Sequence, residues 1–278
     1  MNALRQIEGW PVPAAAAGVV ERGGRVRHRG DSARLFRFAS VTKPVTALAA
    51  LVAVEEGVVD LEEPAGPPGS TVRHLLAHAS GLPLNAGAPI GPPGRRRIYS
   101  NAGFEAIARL VAERAEMPFA EYLGAAVLEP LSLRAELVGS PAWGLRGTLE
   151  DLLAVARELL VPTLLAPETL AEATSVAYPG LSGVLPGYGR TERNDWGLGF
   201  EVRDGKSPHW TGSRNSPRTF GHFGASGTFV WVDPEAGLAC ACLTNREFDG
   251  WAKEAWPRLS DAVLAEAAAG REPETSGG

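Results

Sequence analysis

The sequence predicts an α+β fold, and three observations carry the prediction. Strand-like stretches gather at the two ends of the chain, the middle reads as helices joined by Pro- and Gly-rich loops, and no repeat or linker splits the 278 residues into independent units. With 45% hydrophobic residues, the chain can bury a sizeable core as one large unit or two interleaved lobes.

Residues 14–21 form an apolar run that stops at Arg22-Gly23-Gly24 and resumes at Arg25-Val26-Arg27-His28, the pattern of a hairpin with a Gly-Gly turn. Residues 41–56 are rich in Ala, Leu and Val and read as a helix, with Pro44 in its first turn and Gly57 as its C′ stop. Apolar on most sides, this helix belongs between layers. A loop at 61–70 precedes a short capped helix at 71–78, and a second loop covers 85–97. Helices are expected over 102–114, 118–128 and 148–160, the last opened by Thr148 and Asp151 in capping-box spacing. After a loop at 178–193, strands are expected over 197–202, 218–222, 227–232 and 238–243, with Asp233-Pro234-Glu235-Ala236-Gly237 as a turn. A helix over 252–269 closes the chain, Pro257 kinking it or marking its true first turn, and 270–278 reads as a disordered tail. Early hairpin and late strands predict one sheet whose edge the N-terminus completes.

Composition narrows the function. A net charge of -5 with Asp+Glu 32 offers no field for gathering nucleic acid or anionic lipid, so neither is an expected partner. Residues 1–13 contain no apolar block of signal length, and no later segment reaches about eighteen uninterrupted apolar residues; a soluble, cytoplasmic protein is expected. Cys240 and Cys242 stand two apart in a strand-like run and read as small core residues on one face, not as a disulfide or metal pair.

The 27 Lys+Arg include three lysines, Lys43, Lys206 and Lys253. Ser40 and Lys43 stand three apart at a predicted helix start, a spacing that lets the amine lie against the hydroxyl. First-turn amides and the helix dipole favour negative charge there. An amine can give up its proton where a guanidinium cannot. Ser40 is therefore a candidate nucleophile with Lys43 as proton partner; the plain alternative is an N-cap serine and a solvated lysine.

Tyr99-Ser100-Asn101 follows a loop and opens a helix, so its side chains can face a cleft. A phenol must lose about three pK units, roughly 4 kcal/mol, to act as a base near neutrality. A Lys43 ammonium about 4 Å away at an effective dielectric near 20 supplies a similar amount. Gly221-His222-Phe223-Gly224-Ala225-Ser226-Gly227 is a glycine-rich strand, whose backbone can approach a ligand closely and aim an amide at the oxygen that the Ser40 amide faces. The His222 imidazole can donate to the serine–tyrosine network or to substrate. Taken singly, these segments also read as a buried tyrosine and a satisfied histidine.

Ser40-Val41-Thr42-Lys43, Tyr99-Ser100-Asn101 and His222-Phe223-Gly224, in that order, resemble the three motifs of the serine β-lactamase-like and penicillin-binding-protein superfamily, in the branch holding class C β-lactamases, D-alanyl-D-alanine peptidases and related esterases. Leu75-Leu76-Ala77-His78-Ala79-Ser80-Gly81-Leu82, Trp196-Gly197-Leu198-Gly199-Phe200 and Leu243-Thr244-Asn245-Arg246 are similar to further phrases of that branch. The resemblance implies a five-or-more-stranded antiparallel sheet covered by helices (about 1–60 and 190–269), a mainly helical lobe (about 61–189), and a site in the groove between them. It implies Ser40 as acylated nucleophile, Lys43 as its proton partner, Tyr99 as general base, Asn101 orienting the substrate, and the Ser40 and Ala225 amides as an oxyanion hole, with His222 and Gly224 beside the substrate. No cofactor or metal is implied; the partner is a small-molecule ester or amide.

Departures from the pattern point away from antibiotics. Where class C enzymes carry Lys-Thr-Gly, this chain has His222-Phe223-Gly224, so a second permanent cation is missing. The wall between Ser80-Gly81-Leu82 and Tyr99 is short, which suggests small or promiscuous esters. No G-x-S-x-G nucleophile elbow occurs. A carboxylesterase is the leading expectation; a D-alanyl-D-alanine-type peptidase or amidase, a weak β-lactamase, an acyltransferase and a non-hydrolytic acyl-binding sensor are the alternatives. His74 and His78 have i,i+4 spacing without a third ligand. Arg95-Arg96-Arg97 reads as a solvated run, with binding of an anionic substrate as the alternative, and Trp196, Trp210 and Trp231 read as sheet residues that can line an acyl pocket.

Overall fold

The computed structural model describes residues 1–270, so the tail expected from 270 lies, Gly270 apart, outside the described residues. After a 3-10 turn at Ala3–Gly9, β1 (Ala15–Glu21) and β2 (Val26–Arg29) form the predicted hairpin. β3 (Phe36–Arg37) leads through a 3-10 turn at Ala39–Val41 into α1 (Thr42–Glu55). There follow α2 (Val72–Leu76), α3 (Asn101–Ala115), α4 (Phe119–Leu123), β4 (Glu136–Leu137), β5 (Leu145–Gly147), α5 (Leu149–Leu160) and α6 (Pro167–Ala173). The chain continues through β6 (Gly183–Leu185), β7 (Gly189–Thr191), β8 (Glu201–Val202), β9 (Phe220–Gly224), β10 (Thr228–Asp233), β11 (Leu238–Thr244) and α7 (Gly250–Ala269).

Six strands make the main sheet in the order β2-β1-β11-β10-β9-β8, with every neighbouring pair antiparallel. The N-terminal hairpin thus completes one edge, as the sequence predicts. Period-two alternation splits each central strand between two cores. Ala239, Ala241 and Leu243 of β11 join Val230 and Val232 of β10 under α1 and α5. Leu238, Cys240 and Cys242 join Phe229 and Trp231 on the opposite face, against Leu259 and Val263 of α7. Both cysteines are free and buried, the core role expected of them.

The helical segments share the first core. Leu75, Phe104, Ile107 and Val127 belong to the same buried cluster as Val45 and Leu48 of α1 and the inner sheet face. α1, buried nearly all round, is the joint between the two regions, and the site opens at its N-terminus. The capping box that starts α5 is present: Thr148 Oγ1 accepts from the Asp151 amide at 3.1 Å, and Asp151 Oδ2 accepts from the Thr148 amide at 2.8 Å.

Four expectations change. The strand expected over 197–202 shrinks to Glu201–Val202. Gly199 has a φ of 93° and packs on α1, where a Cβ would lie 2.3 Å from that of Ala47; the chain bends onto the helix instead of extending. The segment 178–193 is not plain loop but carries the β6–β7 hairpin. Residues 167–173 form α6, started by Pro167. The expected 118–128 helix widens after Leu123 into a π turn at Gly124–Leu128. Pro257 lies inside α7, whose true start is capped by Asp249 Oδ1 accepting from the Trp251 amide at 2.9 Å.

Candidate active site

The turn carrying Ser40 is held in a conformation that a free chain avoids. Ala39 has a φ of 48°, a left-handed geometry that costs a residue with a Cβ about 1–2 kcal/mol. Neighbours clamp it from both sides. Thr228 Oγ1 donates to the Phe38 carbonyl at 2.8 Å, Ser226 Oγ donates to the Arg37 carbonyl at 2.7 Å, and the Phe38 amide donates to the Leu145 carbonyl at 2.9 Å. Such over-determination is what lets a strained turn persist. Gly224 makes the contact possible, because a Cβ there would lie 2.5 Å from the Phe38 carbonyl oxygen and 3.1 Å from the Ala39 Cβ. β9 is thereby pressed against the Ser40 turn. The Ser40 and Ala225 amides donate to no acceptor among the described residues, and both residues line one cavity, as an oxyanion-binding pair requires.

Lys43, one turn on, is fully buried. Its Nζ donates to Asn101 Oδ1 at 2.7 Å and to the Ala142 carbonyl at 3.0 Å, and stands 4.6 Å above the centre of the Tyr99 ring. Both acceptors are neutral. Burial drives the amine's pKa well below that of a free lysine, and Glu105 offsets only part of this. Glu105 is itself tied to Ser140 Oγ at 2.8 Å, in the segment that supplies the Ala142 carbonyl.

The surroundings of Tyr99 work against the lowered phenol pKa expected of it. Desolvation holds its phenol above the ordinary tyrosine value, and the Glu201 charge adds to this; the Ser40 side chain, as a hydrogen-bond partner, pulls the other way by less. The burial that raises the phenol also works against a Lys43 ammonium, the charge expected to draw it down. Tyr99 thus stands as a phenol beside Ser40, with the Lys43 amine over its ring.

His222 presents an acceptor to Tyr99 in this structure. Its Nδ1 lies 2.6 Å from the Phe223 carbonyl oxygen and must donate, which leaves the Nε2 lone pair facing the Tyr99 hydroxyl at 3.5 Å. Burial and the nearby Lys43 push its pKa down to about 3, so the ring is neutral across the working range. Asn101 accepts from Lys43 and donates through Nδ2 to Asn85 Oδ1 at 3.1 Å.

Ser40, Tyr99, Asn101, His222 and Ala225 share a cavity of about 310 Å³, walled by Trp196, Glu201, Phe248 and the Leu185-Pro186-Gly187 bend of the β6–β7 hairpin. Of the three tryptophans considered, Trp196 lines it, while Trp210 and Trp231 pack in the second core. The two histidines of the 71–78 segment part company. His74 stacks on Tyr178 at 4.4 Å between ring centres. His78, with a φ of 54°, turns inward against Tyr99 and Trp196. Arg97 is not a solvated member of its run; it is buried and donates to the carbonyls of Asn194, Ala77, Ala177 and Tyr178.

Sequence reasoning missed the hairpin wall, the Glu201 carboxylate and the contacts of His78. The turn residues Pro186-Gly187 and Gly189 were a usable hairpin signal. Nothing local marks Glu201, which depends on partners brought in from 206–210.

The comparisons agree with this geometry. The family model described as Beta-lactamase matches residues 7–136 and 132–264. A crystal structure of a beta-lactamase, Mb2281c, from Mycobacterium bovis superposes with a TM-score of 0.94 at 55% identity, covering 95% of this chain and 99% of that one. Esterase EstB of Burkholderia gladioli is 24% identical over 348 residues, covering 90% of this chain and 86% of its own length. EstCE1, described as a hydrolase with promiscuous acyltransferase activity, shares the fold at a TM-score of 0.74 and 19% identity, over 95% of this chain and 97% of that one. A clamped serine turn beneath a six-stranded antiparallel sheet, with these matches spanning nearly the whole chain, makes this protein a member of the Beta-lactamase family of serine hydrolases.

Proposed function

We propose that the protein is a carboxylesterase that works through an acyl-Ser40 intermediate on small esters. The observation that carries this reading is the lining of the cavity around Ser40: the third-motif position holds an imidazole, His222, and no Lys or Arg among the described residues lines the cavity. Burial and Lys43 push the imidazole's pKa down to about 3. A carboxylate next to the reacting carbonyl, as in a β-lactam antibiotic, finds no fixed cation there. An uncharged ester needs none. The similarity to a protein named as an esterase supports the same choice.

In the proposed reaction the Ser40 hydroxyl attacks the ester carbonyl. Its proton passes by way of Tyr99 to the Lys43 amine, which becomes an ammonium held by Asn101 and Ala142. The oxyanion rests on the Ser40 and Ala225 amides, and the departing alkoxide recovers the proton. Water then attacks the acyl-serine, giving its proton to the same Tyr99–Lys43 pair, and Ser40 is regenerated as the acid leaves. Asn101 orients the substrate beside the nucleophile.

One observation favours a second reading, β-lactam hydrolysis: the protein from Mycobacterium bovis that is 55% identical is described as a beta-lactamase. Intact-protein mass spectrometry after exposure to p-nitrophenyl butyrate and to penicillin separates the two. Rapid ester turnover without a penicillin adduct is expected, and Ser40→Ala abolishes that turnover while folding stability stays within about 1 kcal/mol. Ester hydrolysis that survives in Ser40→Ala removes the serine from the mechanism; efficient penicillin turnover by the parent moves the reading to the β-lactamase.

A further inference from the structure

A second chamber of about 470 Å³ adjoins the first, and Leu84, Tyr99 and Pro186 line both. Ile90, Ile98 and Val184 add further apolar wall. Leu84, Ile90 and Val184 are 49%, 57% and 56% exposed, so three of the protein's most exposed large hydrophobic side chains converge on this one hollow. Exposed apolar groups collected in a concave place mark a binding surface more often than scattered ones do.

The charges on this chamber are of one sign. Arg96 and Arg190 line it, both exposed, and among the described residues no Asp or Glu does. Neither guanidinium forms an ion pair among the described residues, whereas Arg73, Arg114, Arg134 and Arg193 elsewhere on the surface each do. Arg96 spends one N–H on the Ile90 carbonyl at 3.2 Å. Two guanidiniums without an ion pair thus stand beside one apolar hollow, and their planar forks suit a carboxylate. The third arginine of the wall, Arg97, is committed to backbone carbonyls and holds the wall in place.

We propose that this chamber takes an apolar arm of the substrate that ends in a carboxylate, with the arm on Leu84, Ile90 and Val184 and the charged end at Arg96 and Arg190. The inference rests on the ester-hydrolase reading of the adjoining site and names the substrate class: esters carrying a chain of several carbons with a remote negative charge. It is compatible with the lack of cations around Ser40, because the charge sits away from the reacting carbonyl.

The test compares matched esters. On the acyl side, mono-p-nitrophenyl adipate and suberate are set against p-nitrophenyl hexanoate and octanoate; on the alcohol side, 6-acetoxyhexanoate is set against hexyl acetate. The carboxylate-ended ester is expected to exceed its neutral partner in kcat/KM by about threefold to tenfold on one of the two sides, as one or two exposed ion pairs allow. That ratio is expected to fall toward one in the R96A/R190A double variant and with added salt. A ratio of one on both sides, or a gain that survives in R96A/R190A, overturns the proposal. Calorimetric titration of Ser40→Ala with octanoate gives a readout free of turnover, binding being expected and being weakened in Ser40→Ala combined with R96A/R190A. Binding of that kind without turnover of any ester sinks the hydrolase reading and leaves the chamber's preference standing; ester turnover without discrimination or binding sinks the chamber alone.

Discussion

Lys43 and Lys206 are both buried, at 0% and 6% exposure, yet their surroundings make them different chemical objects. Lys206 lies 3.1 Å from Glu201 Oε1 and also donates to the Asp195 carbonyl at 2.8 Å and to that of Val202. Glu201 is further held by His209 Nε2 at 2.9 Å and by the Trp210 indole, and these partners keep its carboxyl far below the usual range despite burial. Lys43 has neutral acceptors and a ring face instead. A buried amine with a carboxylate partner is a fixed ion, and one without is a proton acceptor in waiting. The carboxylate paired with Lys206 also lines the cavity around Ser40.

The sharpest way to break this comparison is to exchange what each lysine can do. Lys43→Arg keeps a positive charge but removes the ability to give up the proton, and is expected to lower kcat on p-nitrophenyl acetate by about a thousandfold, within the range for a lost general base. Lys206→Met is expected to leave kcat within about threefold and to destabilise the protein by about 3 kcal/mol, because Glu201 loses its cation in the interior. Urea unfolding together with steady-state kinetics reads both. Activity retained in Lys43→Arg, or a catalytic collapse in a folded Lys206→Met, would undo the distinction.

Tyr99→Phe probes the step between Ser40 and Lys43. If the phenol relays a proton it does not itself keep, its loss is expected to slow turnover by about a hundredfold, while the acid limb of the pH profile stays where Lys43 sets it. A limb that moves in Tyr99→Phe would make the phenol the titrating base.

The pH dependence of stability separates the two lysine sites again. Lys43 has a folded pKa below its unfolded value near 10.4. Between the two the native state holds fewer protons than the unfolded chain, so stability rises with pH, by up to about 1.4 kcal/mol per unit from this group. Lys43→Met is expected to flatten that slope. Glu201 has a folded pKa below its unfolded value near 4.3; its contribution is present above that value and is lost as pH falls through the window beneath it. Lys206→Met is expected to shrink the acid-side loss and leave the alkaline-side slope alone. Urea midpoints measured from acid to mildly alkaline pH check both signs.

The same contrast explains what was legible in the sequence. Hairpin, buried α1, capping box and late strands were readable because each depends on neighbours in the chain: Gly-Gly at a turn, Thr148 and Asp151 three apart, alternation in β10 and β11. Ser40 and Lys43 were readable for the same reason, a one-turn spacing. The protonation states were not. They depend on which distant segments exclude water from Lys43, Tyr99 and His222. The β6–β7 wall and the Glu201 network were hidden because their partners come from loops whose course only the fold decides.

His78 is where the smallest effect is expected, and where the two regions touch. Its Nδ1 accepts from the Ser100 amide at 3.1 Å, which fixes the turn presenting Tyr99 and Asn101. The proton must then sit on Nε2, which is buried without a hydrogen-bond partner among the described residues. The ring meets Trp196 edge-on, 4.6 Å between centres at 87°, a geometry in which an N–H can point at an aromatic face. Burial holds the imidazole well below its usual pKa, so it positions the turn as a neutral group and titrates nothing. His78→Asn, which can still offer an acceptor to Ser100, is expected to cost kcat about threefold, and His78→Phe, which cannot, about tenfold or more, with little change in KM and an unshifted pH profile. A moved acid limb in His78→Asn would place a second titrating base beside Lys43, and equal losses in the two variants would mean that packing on Trp196, not the bond to Ser100, is what holds Tyr99 in place.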